Sequence, residues 1–73
     1  MGLFGPRYPV LRQVIVNLKS SGDEAFRGLL WQRRGEYLVL RQAVILRGRG
    51  EGTALDGEVA IPAANVAFIQ VVG

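Results

Sequence analysis

Apolar and polar residues alternate along most of this chain with a period of two, the spacing at which successive side chains point to opposite faces of a strand. In Gln13 to Lys19, Val14, Val16 and Leu18 face one way and Ile15, Asn17 and Lys19 the other, which predicts a half-buried strand. Ser20-Ser21-Gly22-Asp23 is a turn cluster, with side chains able to bond the nearby backbone and a glycine free to take positive φ. Alternation resumes from Glu24 to Gln32, with Phe26 and Leu30 on one face and Arg27, Leu29 and Trp31 on the other. Gly28 interrupts it. A glycine inside a strand gives up packing and marks a bend or a close backbone approach, so this strand is expected to curl sharply there.

After a turn at Arg33-Arg34-Gly35-Glu36, the sequence predicts strands at Tyr37 to Leu40 and Ala43 to Arg47, separated by the polar pair Arg41-Gln42. The alternating glycines of Arg47-Gly48-Arg49-Gly50-Glu51-Gly52 exclude a strand core. Glu58 to Ile61 and Val66 to Val72 complete the pattern, joined by a corner at Pro62 to Asn65. Pro62 has no N–H to give a ladder and belongs at a strand end or edge. No segment sustains a helical period, and Tyr8 to Arg12 is too short a candidate. The pattern predicts an all-β fold, a small, strongly bent, five-stranded antiparallel barrel. Residues 1–9 read as an irregular arm and residues 10–73 as the barrel domain.

In the last strand Val66, Phe68 and Val72 alternate with Ala67, Ile69 and Val71, so both faces are apolar. A strand solvated on one face would carry polar residues there, and in a chain of 73 residues the second cover is expected to be another copy. Size supports this reading, because one small core rarely supplies more than about 3–5 kcal/mol. Cysteine and histidine are both absent, which leaves neither disulfides nor the usual zinc ligands as supports. No metal or cofactor is expected. The expected self-interface is Val59, Ile61, Ala67, Ile69 and Val71, with short edge strands pairing head to tail into a ring.

Val14-Ile15-Val16-Asn17-Leu18-Lys19, Phe26-Arg27-Gly28-Leu29-Leu30, Leu38-Val39-Leu40 with Ala43, and Gly57 through Gln70 together resemble the Sm and Sm-like (Lsm, Hfq-type) proteins over residues 10 to 71. The closing Asn65-Val66-Ala67-Phe68-Ile69 matches the family's second motif without gaps. The resemblance implies a bent five-stranded barrel, usually after an N-terminal helix, joined last strand to fourth strand in rings of several subunits. Members that bind uridine-rich RNA carry an Asp and an Asn around the turn before the third strand and an Arg-Gly pair at the final corner. Here those places hold Arg33 or Arg34, Tyr37 and Pro62-Ala63. The uridine pocket therefore does not carry over.

Eight arginines and one lysine against six acids leave a net charge of +3, which permits attraction to polyanions without requiring it. Tyr37 offers a stacking face, and Arg33, Arg34, Arg47 and Arg49 offer phosphate contacts, the combination found in sequence-tolerant single-strand binders. The plainer alternative makes Tyr37 a packed strand residue and the arginines solvated turn charges. Trp31 is expected to pack or to meet a partner subunit. No catalytic set is visible, since Ser20 and Ser21 lack a base nearby and the carboxylates sit in flexible loops. Two functions follow: a non-enzymatic, ring-forming module binding RNA or single-stranded DNA, or a structural adaptor whose ring binds another protein. The chain's brevity and arginine content also resemble small tailed-phage proteins. Without a signal-peptide pattern or a long apolar run, the expected location is cytoplasmic and away from membranes.

Overall fold

Gly28 sits where the chain has no room for a side chain. In the computed structural model, which describes residues 8–20, 22–48 and 52–73, a Cβ at Gly28 would lie 2.9 Å from the Arg41 carbonyl oxygen and 3.1 Å from the Ala43 Cα. The pairing of the two central strands shifts register between Arg27 and Leu29, and opposite this point Gln42 takes a left-handed φ of 54°. The two irregularities face each other and bend both strands together. The expected curl at Gly28 is present.

Among the described residues six strands form around this bend: β1 (Gln13–Leu18), β2 (Glu24–Arg34), β3 (Tyr37–Arg47), β4 (Thr53–Ala54), β5 (Glu58–Pro62) and β6 (Val66–Val71). Tyr37–Leu40 and Ala43–Arg47 are one strand, because Arg41 keeps its ladder partner Leu29 and the strand continues through a bulge at Gln42 and Ala43 to Val44 opposite Arg27. β2 also runs on to Arg34. The two-residue β4, absent from the alternation pattern, pairs with Val44 and Ile45 of β3.

Every pairing is antiparallel, in the order β4-β3-β2-β1-β6, with β5 on the first half of β3. β3 therefore carries β2 along one side, and β5 then β4 along the other. At the turn joining β2 to β3, Gly35 takes a φ of 59°, a conformation that favours glycine. Tyr8 to Arg12 forms no helix; Leu11 has a φ of 64°, and its N–H donates to the Leu30 carbonyl at 2.6 Å.

Val14, Val16, Leu30, Leu38, Leu40, Ala43 and Ile61 form the buried core, with Tyr8, Leu18, Phe26, Val59, Val66 and Ile69 packed around it. All seven are apolar, and no buried side-chain nitrogen or oxygen lacks a partner among the described residues. Ile61, expected at a subunit interface, is a core residue with 3% exposure. Its ladder partner is the buried Leu38, and directly opposed residues share a face.

β5 and β6 are joined by a single 3-10 turn, Ala63–Asn65, yet no ladder links them among the described residues. The corner is held from two sides. The Ala63 N–H donates to the Glu36 carbonyl at 2.8 Å and the Lys19 N–H to the Asn65 carbonyl at 2.7 Å. The Asn65 side chain accepts from the Ser20 N–H and donates to the Ser20 hydroxyl. The barrel thus has one open seam, bordered by β5 and β6.

The bend generates a stability prediction. Gly28→Val forces a side chain into backbone and is expected to cost roughly 2 kcal/mol or more, in the range of overpacked cores. Gly22→Ala, with nothing within 4 Å of the added Cβ, is expected to stay within about 0.5 kcal/mol of the parent. Denaturant midpoints at one fixed protein concentration compare the two.

Candidate functional site

Strand register sorts the sequence-nominated residues by face. Leu38 and Leu40 point into the core, so Tyr37, Val39 and Arg41 point outward. Three rows of opposed residues then cross the outer surface of β2, β3 and β5: Leu29-Arg41-Glu58, Gln32-Val39-Ala60 and Arg34-Tyr37-Pro62. Val39 is buried on this outer side and lies outside the main core cluster.

Trp31 shares this surface and is covered by its neighbour. The Arg41 guanidinium lies 3.8 Å from the centre of the indole ring. Arg41 also donates from Nε to Glu58 Oε2 at 3.2 Å, and its Nη2 stands 3.2 Å from the same oxygen. Arg34 reaches the other oxygen of that carboxylate, with Nη1 3.5 Å from Oε1. Arg34 starts in the Tyr37 row and Glu58 lies in the Arg41 row, so the Arg34 side chain extends along the sheet across the Val39 row. The Gln32 amide lies against the Arg34 guanidinium, and the orientation that satisfies both groups puts its oxygen there as acceptor. Two guanidiniums share one carboxylate, which leaves the cluster one positive charge in excess.

Of the nominated nucleic-acid contacts, the structure brings Arg34 and Tyr37 together on this face. Tyr37 is 49% exposed, as a stacking platform requires and a packed strand residue does not. Arg33 is opposed by the inward Leu38 and belongs to the barrel end. There its guanidinium lies 5.2 Å from the Tyr8 ring centre, and its Nε donates to the Gly35 carbonyl at 3.0 Å. Arg47 is at the far end of the same hairpin, donating to Glu24 at 2.9 Å. Arg49 falls outside the described residues.

The nominated self-interface also divides. Val59 and Ile69 pack partly against the protomer's own core, as Ile61 does fully, whereas Ala67 and Val71 are exposed. A bulge accounts for Ala67, whereas Val71, opposite the buried Val14, shares the face of Ile69 and is 46% exposed at the end of the strand. The β1–β6 register shifts between Asn17 and Leu18, so that Leu18 opposes Val66 while Asn17 opposes Phe68, and Ala67 is the extra residue. The alternation inverts there, Val66 and Ile69 turn inward, and Phe68 is left 57% exposed. Tyr8, Ala63, Ala67, Phe68 and Val71 line a shallow groove of about 570 Å³ beside the β6 edge.

Sequence reasoning missed Phe68, Arg41 and Glu58. The bulge that exposes Phe68 leaves no sign in the alternation. Arg41 and Glu58 meet only across the β3–β5 ladder, and the sole signal was a lone arginine and a lone glutamate at the edges of apolar runs.

No protein-family model matches the chain, and no curated protein matches it. Among solved structures, the crystal structure of the P. aerophilum SmAP1 heptamer is similar, with a TM-score of 0.72 and 28% identity over 88% of this chain and 82% of that one. A chain from the crystal structure of the NatC complex bound to CoA has a TM-score of 0.69 at 22% identity, over 86% of this chain and 78% of that one, a likeness of fold alone. The architecture is the Sm-like bent barrel. Among the described residues no helix is long and apolar enough to cross a membrane.

The stack on Trp31, the chain's one tryptophan, has an optical consequence. Arg41→Ala uncovers the indole and is expected to move its fluorescence emission to longer wavelength, with a stability loss of about 0.5–1 kcal/mol, the range of exposed cation–π contacts. An unchanged spectrum would show that the stack does not form in solution.

Proposed function

We propose that this chain is a non-enzymatic, Sm-like module whose copies assemble head to tail into a homo-oligomeric ring and bind single-stranded RNA without uridine specificity. The observation that carries the reading is the open seam. β5 and β6 each present one unbonded backbone edge, and β6 adds exposed Phe68 and Val71. Pairing β6 of one copy with β5 of the next satisfies both edges in one interaction and covers the apolar groove. Similarity to a protein crystallised as a heptamer supports a closed assembly of this kind.

Nucleic-acid binding rests on Tyr37 and Arg34 on the outer face, with Arg33 close by at the hairpin turn. A closed ring repeats that set once per subunit, turning a modest net charge into a continuous basic track. Stacking on Tyr37 contributes about 1–3 kcal/mol per base and tolerates any base, in keeping with the missing uridine-pocket residues. Arg47 adds charge at the other end of the hairpin, and Arg49 follows two residues on in the sequence. The alternative reading, a protein-binding adaptor, has no observation of its own to favour it.

A titration of fluorescent single-stranded RNA tests this reading. Affinity is expected to fall with rising salt, log K losing about 0.7 per phosphate engaged for each unit of log salt. Replacing Arg33, Arg34, Arg47 and Arg49 together by alanine is expected to abolish binding while leaving the assembly's size unchanged. Absence of binding by the parent at low salt would overturn the nucleic-acid reading.

A further inference from the structure

We infer that Glu58 is a built-in competitor for phosphate, holding Arg34 and Arg41 flat against the sheet until the backbone of a single-stranded nucleic acid displaces it. The inference rests on the nucleic-acid reading above and identifies how that face is regulated.

The two arginines are not held equally. Arg41 meets Glu58 Oε2 through both Nε and Nη2, each at 3.2 Å, and its flat face rests on Trp31. Arg34 has one longer approach, 3.5 Å to Oε1, helped by the Gln32 amide. The Arg34 side chain is 60% exposed, so the pair is weakened by solvent and salt. Arg34 is therefore the arm that leaves first, and Arg41 the fixed charge.

Geometry couples that release to base stacking. The Arg34 backbone is directly opposite Tyr37, whose ring is exposed, but Arg34 now reaches away from Tyr37 toward the opposite end of the face. A phosphate near Tyr37 offers Arg34 a shorter reach and a planar, charge-assisted contact. Exchanging Glu58 for phosphate then brings the cation beside the stacked base. The carboxylate lowers affinity for stray anions and leaves a strand that both stacks and charges as the preferred ligand.

Glu58→Gln tests this, since it keeps the shape and removes the charge. With a 20-nucleotide mixed-sequence RNA, the variant is expected to bind about three- to tenfold more tightly, the worth of one or two exposed ion pairs. Its log K against log salt should keep the parent's slope, because Arg34 engages the same phosphate in both complexes and only the cost of displacing Glu58 is removed. Arg34→Ala in the Glu58→Gln background should erase the gain. Glu58→Asp, which keeps the charge one methylene further from Arg34, should show part of it and guards against a folding defect in the first variant; an unchanged assembly size checks both. Equal or weaker binding by Glu58→Gln would overturn the inference and leave the parent's RNA binding standing. Failure of parent and variant alike to bind would remove the nucleic-acid reading and this inference with it.

Discussion

Two neighbouring strands meet at a three-residue corner and do not pair, and the backbone groups this leaves unbonded dominate the character of the molecule. A strand edge is a row of donors and acceptors waiting for another chain. A fully closed barrel leaves no edge unpaired; here Pro62 and the 3-10 turn at Ala63–Asn65 send β6 across the barrel end to pair with β1, and β5 and β6 are left without a ladder between them. Hydrogen bonds from the Ala63 N–H to the Glu36 carbonyl, and between Asn65 and the Lys19-Ser20 segment, hold that crossing, so the seam is built into the fold.

The bend at Gly28 makes such a crossing reachable. Because β3 turns through its bulge, its first half supports β5 and its second half supports β4, and one long hairpin serves two sides of the barrel. A core of seven apolar side chains is enough to fill the space so enclosed. It leaves little stability in reserve, since small domains bury a smaller fraction of their surface. An association that buries Phe68 and Val71 adds apolar burial where the protomer itself has run out of chain. β2, β3 and β5 also share an outer face on which Trp31, Arg34, Tyr37, Arg41 and Glu58 lie, separate from the seam residues of β6.

Local pattern carried most of the architecture. Alternation located β1, β2, the halves of β3, β5 and β6, and Gly28 announced the bend, because each of these is written in consecutive residues. What escaped depends on partners distant in sequence. The phase of β6 is reset by a bulge against Asn17 and Leu18, which turned Phe68 out, kept Ile69 on the core and left Ala67 as the bulged residue. The side chain of Ile61 is directed into the protomer's core by its register with Leu38, which alternation along β5 alone does not reveal. At the candidate site, Tyr37 and Arg34 are legible as an aromatic and a cation beside a turn, but whether Tyr37 packs or stands exposed depends on the ladder. Arg33 differs only in which way it leaves the strand, and the ladder decides that. The sharing of Glu58 by two arginines needs β5 laid against β3, and no spacing along the chain encodes it.

The central claim is that neighbouring copies fill the seam, and the mass of the native assembly across a dilution series into the low micromolar range tests it most directly. The account predicts a single closed oligomer of defined subunit number that persists on dilution. A monomer of 8.0 kDa that stays folded at those concentrations would contradict it.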